Sequence, residues 1–477
     1  MIFDPDIQYR AAIMRGKSLT QMDDLLPLYA NIINDVCPIS IEEFRTSFNL
    51  VLSKKLHSET EKALNNHRTE IAGKLFGMYW VDEQNIVNAA PRTLKLIEDG
   101  DQPAFFKDIC CKIQFPSPAQ KAQTYISQIQ EGISIHPCKI SLAVMLEIEK
   151  NKTFITKDEL AYYVLNCKQV LQGIIFPKQV VQTILSFRAQ GINKSIQTIR
   201  NHSFTWQHIN ELIDYMVIAN LVEKDTSTSK LRINKREMRS ILALVEVHEI
   251  GKLNFEITTY DYLSVEGRKK LSLDWDFYYA QPSIGDISIL NTDIRALVPN
   301  EELVLTDQEI NALEKADETE AWGIGSSNNE LGNQGEEFVF KLEKNRVLKM
   351  FPRLEKHVIN MAATRGIGYD IQSVVADGEV PDEKIFIEVK STRRFSPVSN
   401  LETLNDAITI TRNEWVAAKQ YRESYRIFRV YFSKSKVQIF EIKDVINLSL
   451  DPQKVKISPL TYRVDFSGLS GNFIYDA

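Results

Sequence analysis

Residues 368–392, GYDIQSVVADGEVPDEKIFIEVKST, decide the fold of the C-terminal part of the chain. Two apolar runs flank a polar turn marked by Gly378 and Pro381, a pattern that predicts an antiparallel strand pair. Asp370 stands at the mouth of the first strand. Glu388 and Lys390 lie two residues apart in the second, hence on one face of a period-two element. Pairing the strands brings a carboxylate to the end of the strand that carries a second carboxylate and an ammonium. An ordinary surface ion pair, worth ~0–1 kcal/mol, has the same composition. The neighbouring sequence has to separate the two readings.

Two carboxylates on an apolar sheet suit Mg²⁺, a hard ion that takes oxygen ligands and keeps several waters. The Val389 carbonyl at the strand end offers a third oxygen. Such a metal polarises a phosphate and acidifies a bound water, and a nearby ammonium neutralises charge developing on the phosphorus. Upstream, LGNQGEEFVFKLEKNRVLKM (331–350) has helical periodicity, with Phe338, Val339 and Leu342 available to a core.

The ordered set resembles the PD-(D/E)xK nuclease site. More closely, LGNQGEEFVFKLE, GYDIQS, FIEVKST and ITRNEWVAAKQYRESYRIFRVYF are similar, in that order, to the NO VEIN C-terminal type of nuclease domain, over about residues 330–445. The resemblance implies Mg²⁺ as cofactor, Asp370 and Glu388 as its ligands, Lys390 as catalytic lysine and Glu336 as a supporting acid. The proline that names the superfamily is replaced here by Tyr369.

The segment DETEAWGIGSSNNELGNQG (317–335) has linker composition, and Thr306 and Glu309 just before it form a capping-box pattern. N-terminal to it, one order of elements occurs twice. A helix with Ile71 and Leu75 on one face precedes MYWV, a polar turn and IVN. A second helix, with Leu212 and Met216, precedes NLVEK, DTSTS and KLRIN. Helix, strand, turn and strand is the order of a winged helix. A recognition helix reads bases from its exposed N-terminal half, which nominates Asn65, Asn66, Arg68, Gln207 and Asn210. Between the copies, the run KIQFPSP, a helix start IHP and the capped helix ITKDELAYYVL (Thr156 and Glu159) resemble the recognition region of AlwI-type restriction endonucleases.

Composition is that of a soluble globular protein, at 44% hydrophobic and 25% charged residues, and 477 residues suggest about three domains. A net charge of −6 does not exclude a nucleic-acid partner, because binding depends on a local basic face. Five cysteines without CxxC spacing fit buried thiols in a reducing cytosol, and the first ten residues lack the layout of a signal peptide.

The expected class is multidomain α+β: a mostly helical N-terminal region with winged-helix units and a C-terminal α/β nuclease domain around a central mixed sheet. Its expected parts are DNA-recognition domains at 1–135 and 136–245, a connecting subdomain at 246–318, a linker at 319–335 and the nuclease at 336–477. The expected protein is a Mg²⁺-dependent restriction-type endonuclease of double-stranded DNA serving phage defence in the cytoplasm. It is expected to be monomeric in solution, pairing transiently or with a second subunit on DNA. The alternatives are a DNA-binding regulator or assembly subunit with an inactive nuclease-like domain, and a structure-specific repair nuclease.

Overall fold

Side chains that close turns and cap helices set the N-terminal architecture. In the computed structural model, Thr60 caps helix Glu61–Asn66 by accepting from the Ala63 amide, and π-helical turns His67–Leu75 continue it. Ile71 and Leu75 are buried, as their spacing predicts. Strands β1 (Ile39–Ser40), β2 (Tyr79–Val81) and β3 (Ile86–Ala89) form an antiparallel sheet in the order β1-β3-β2. One oxygen of Asp82 accepts from the amides of Gln84 (3.0 Å) and Ile86 (2.8 Å), which closes the β2–β3 hairpin.

The same order recurs further on. Strands β4 (Ile155–Thr156), β5 (Val222–Lys224) and β6 (Lys230–Ile233) form a second antiparallel sheet, β4-β6-β5, and Asp225 organises its hairpin through the amides of Ser227 and Thr228. Thr156 and Glu159 make the expected capping box, and Glu159 also receives the guanidinium of Arg188 at 2.6 Å. Leu212 and Met216 of helix His202–Ile218 are buried behind this sheet.

Residues of the expected connecting subdomain brace the first sheet. Phe277 of helix Val265–Ala280 meets Trp80 edge-on at 5.0 Å, and the Tyr279 hydroxyl donates to the Leu75 carbonyl at 2.9 Å. Arg92 bonds the Gln281 carbonyl and pairs with Asp108 at 2.9 Å, both side chains being buried. A buried pair of this kind adds little net stability, but removing one partner costs about 3–5 kcal/mol because the other charge is stranded.

C-terminally, β7 (Ile359–Asn360), β8 (Ile371–Val374), β9 (Lys384–Arg393), β10 (Tyr425–Phe432) and β11 (Val437–Lys443) form one five-stranded sheet in the order β11-β10-β9-β8-β7. The multidomain α+β class expected from the sequence is what the chain adopts. Helix Leu331–Met350 is tied to β8 by Glu343, which accepts from the Ser373 hydroxyl at 2.7 Å and takes Arg346 on both oxygens. Arg346 then donates to the carbonyls of Val374 and Val375, each at 2.7 Å.

Two units emerge by packing, and they do not follow the chain order. One comprises Met1–Lys341, Lys390–Thr409 and Arg429–Ile439. The other comprises Leu342–Val389, Ile410–Phe428 and Phe440–Ala477. The structure describes residues 3–457 except 11–12, 14–15, 17–18, 57–59, 199–201, 226, 284–286, 305–330, 363, 365, 377–380, 402–403 and 405. The capping pair Thr306 and Glu309, most of the 319–335 linker and the turn residue Gly378 therefore lie outside the described residues. The last five residues of that linker are a correction: they are helical from Leu331 onward, because Gln334 and Gly335 are buried rather than exposed. No helix among the described residues is long and apolar enough to cross a membrane.

Candidate active site and nucleic-acid interface

The opening hairpin is antiparallel, with Ile371 opposite Ile387 as the last paired residues, and Asp370 leads into β8 beside the part of β9 that carries Glu388. The Asp370 amide donates to the Ile387 carbonyl at 2.9 Å, and its carboxylate accepts from the Val389 amide at 2.8 Å. One carboxylate oxygen is thus spent on fixing the side chain against β9. Glu388 is 4% exposed, an unusual position for a carboxylate, and Asp370 is half-buried. The burial of Glu388 sets it apart from the carboxylate of an exposed surface ion pair.

Neighbouring elements crowd the same spot. Gly368 has φ +80°, and a Cβ there would come within 2.4 Å of the Asn413 carbonyl oxygen, so only glycine lets the GYD turn reach helix Arg412–Tyr421. Tyr425 of β10 donates its hydroxyl to the Gly368 carbonyl at 3.0 Å. Burial pushes that phenol well above its ordinary range, and the carboxylates of Glu388, Glu414 and Asp370 push it the same way. Three acidic groups therefore act on one phenol. Glu414 was missing from the sequence-based set. It stood in plain view as the fourth residue of the capping box Thr411–Glu414, whose bonds are both present, and nothing in a capping box marks a site.

Lys390 follows Val389 on β9 and is half-buried. Glu336, also half-buried, lies in the first turns of helix Leu331–Met350. Its neighbour Gly335 packs directly on β9. A Cβ on Gly335 would sit 1.8 Å from the Ser391 hydroxyl oxygen and 2.8 Å from its Cβ. The residues flanking Glu336 and Lys390 are thus in contact.

Asp370, Glu388 and the Val389 carbonyl suit a magnesium ion by donor chemistry: all are hard oxygens, and such an ion is ordinarily held by one or two carboxylates plus water and phosphate. Among the described residues no group of three or more His, Cys, Asp or Glu side chains is arranged to hold a metal, which leaves an all-protein cage without support.

The nominated base-reading residues fare unequally. Asn66 and Gln207 are exposed, whereas Asn65 is half-buried and accepts from Asn49 at 3.0 Å. Asn210 is half-buried, with its side-chain oxygen enclosed and lacking a hydrogen-bond partner. Arg68 is a correction. It is buried, and one guanidinium nitrogen donates to Asn49 (2.7 Å) and to the Arg45 carbonyl (3.2 Å), so it holds the helix to its neighbour.

Stronger electrostatics lie elsewhere in the same unit. A cleft of about 900 Å³ beside β5 and β6 is lined by Lys152, Lys224, Arg232, Lys235, Arg236 and Lys434 against Glu149 and Glu223. Lys434 donates to the Val217 carbonyl, and burial pulls its pKa down to about 8. The basic run KLRINKR (230–236) was the sequence signal for this surface.

The N-terminal part carries two like-ordered sheets among its helices, and its family match sets the class as that of a restriction-endonuclease-like DNA-binding protein. Residues 3–276, more than half of the chain, match the family model "Restriction endonuclease BpuJI - N terminal", and the chain belongs to that family. Residues 335–442 match the model "Protein NO VEIN, C-terminal". Among solved structures, the BpuJ1 endonuclease binding domain in complex with pyrene- and phenanthrene-modified DNA is 40% identical, with a TM-score of 0.55, covering 58% of this chain and 100% of that one. No curated protein matches.

Proposed function

We propose that the chain is a Mg²⁺-dependent endonuclease that recognises double-stranded DNA through its N-terminal part and hydrolyses phosphodiester bonds at Asp370, Glu388 and Lys390. The observation that carries this reading is the Asp370 carboxylate bonded to the Val389 amide, directly beside the buried Glu388, in a chain whose first half belongs to a restriction-endonuclease family. Asp370, Glu388 and the Val389 carbonyl would hold the ion. When bound, it supplies Lewis acidity to the phosphate and an acidified water.

The protein's own groups do the rest. The Val389 amide fixes the Asp370 carboxylate before substrate arrives, which limits reorganisation during reaction. Lys390 donates to a phosphate oxygen or to the attacking water, and Glu336 orients the lysine. The surrounding sheet, with Ile371 and Ile387 fully buried, keeps the carboxylates in a low-dielectric wall.

For recognition, the connectivity repeated in β1-β3-β2 and β4-β6-β5 supports the winged-helix reading of both units. The related binding domain was solved on DNA, which supports a duplex partner here. The basic cleft beside β6 takes backbone phosphates, while Asn66 and Gln207 remain candidates for base edges. One Asp…Glu-x-Lys set addresses one strand at a time, so the working form is a monomer that pairs on DNA.

The test is cleavage of supercoiled plasmid with and without Mg²⁺, followed by sequencing of the product ends. Metal-dependent cutting at a fixed position relative to one sequence is expected. Failure to cut any substrate, with sequence-specific binding retained, would establish the inactive-regulator reading instead.

A further inference from the structure

Strand β9 does not end at Lys390. Its next residues run into a buried polar hub within the unit that contains Met1–Lys341 and Lys390–Thr409. Arg393, 2% exposed, donates one nitrogen to Asp101 at 3.1 Å and another to Gln334 at 2.7 Å. The other partners of Asp101 identify what it holds. One of its oxygens caps helix Gln102–Lys112 through the Ala104 amide, and the other accepts from the Thr292 amide as well as from Arg393. Gln334 lies two residues before Glu336 on helix Leu331–Met350. The strand is fastened along its backbone too: the Arg393 amide (2.9 Å) and the Thr392 hydroxyl (2.7 Å) both donate to the Gly100 carbonyl.

We infer that Arg393 is a positioning residue of the cleavage reaction, which locks Lys390 and Glu336 in register with the N-terminal recognition part through Asp101 and Gln334. The inference rests on the endonuclease reading above. A guanidinium suits the task because its planar fork addresses two acceptors in fixed directions, which an ammonium does not. Only Ser391 and Thr392 separate Lys390 from Arg393 on β9, so a shift of the hub is passed along a single extended segment. A misplacement of about 1 Å at a reacting group costs on the order of 10²-fold in rate. None of the residues proposed for DNA contact belongs to the hub, so affinity for DNA is expected to survive its loss.

The test uses the full-length protein. Arg393→Gln is expected to lower single-turnover cleavage at least tenfold with the DNA Kd within twofold of wild type, and Arg393→Lys is expected to recover part of the rate. Thr392→Val removes one hydroxyl donor with little change in shape, and serves if Arg393→Gln does not fold. It is expected to slow cleavage severalfold at unchanged Kd and to speed hydrogen exchange of the Arg393 amide. Cleavage at the wild-type rate in Thr392→Val with faster Arg393 exchange overturns the inference. Loss of rate and affinity together also overturns it, since the hub is then merely structural. If the wild-type protein itself does not cut, the endonuclease reading fails, and the exchange result still reports whether the hub holds the strand.

Discussion

Removing the Asp370 carboxylate in two different ways separates its two roles. Its oxygen accepts from the Val389 amide at 2.8 Å, and Val389 is buried. Asp370→Ala leaves the N–H of buried Val389 without its side-chain partner, a penalty of about 1–3 kcal/mol. At roughly 2–4 °C per kcal/mol for a domain of 150–250 residues, the melting temperature should fall by roughly 2–12 °C. Asp370→Asn retains an amide oxygen for the same bond. It also removes the negative charge facing Glu388, so its stability should stay within about 1 kcal/mol of wild type. Both variants lose a hard anionic ligand, and both should lose cleavage by about 10³-fold or more, roughly 4 kcal/mol of transition-state stabilisation. Thermal melts read the first quantity, and plasmid relaxation with Mg²⁺ titration reads the second. An Asn variant that cuts within tenfold of wild type would remove Asp370 from the mechanism. Equal stability of the Ala and Asn variants would refute the argument from the Val389 bond.

Gly368→Ala adds a side chain at φ +80° against the Asn413 carbonyl, so it should cost about 2 kcal/mol or more and depress cleavage through the displaced GYD turn, as checked by melts and single-turnover rates. Lys434, whose folded pKa of about 8 lies below the unfolded value near 10.5, binds fewer protons folded than unfolded between those limits. Stability should therefore rise with pH across that window, by a margin that Lys434→Met abolishes in pH-dependent melts. Over the same range the cleft loses one cation, and the slope of log K against log salt for DNA binding should shrink by about 0.9 if Lys434 neutralises one phosphate. Nicked circles should precede linear product, with the second cut speeding up as enzyme concentration rises. A stable solution dimer that cuts both strands in step at every concentration would sink the monomer model.

The hairpin of the candidate site was legible because its information is local. Alternation, the polar turn and the spacing of Asp370, Glu388 and Lys390 determine face and register within 25 residues, and the pairing follows them. Both repeated sheets were visible for the same reason, since Ile71, Leu75, Leu212 and Met216 mark helix faces that burial respects. Arg68 could not be read correctly, because its fate depends on Asn49 and the Arg45 carbonyl on a different helix. Glu414 escaped notice because a capping glutamate and a site carboxylate have the same local sequence. The bond between Arg393 and Asp101 joins residues 292 positions apart, and no periodicity carries that distance.

Those long-range ties bear on modularity. The stretch near residue 320 looks like the natural place to cut when exchanging recognition and cleavage parts between proteins. Such a graft would separate Asp101 from Arg393. It would also part Asp23 from the amides of Phe395 and Ser396, which it receives at 3.0 and 2.7 Å, and Asp24 from Arg394 at 2.8 Å. A chimaera joined there inherits buried carboxylates on one parent and buried arginines on the other, with no guarantee that they meet. A workable exchange would have to carry residues 390–396 with the recognition parent, splitting the donor strand after Val389 rather than the linker.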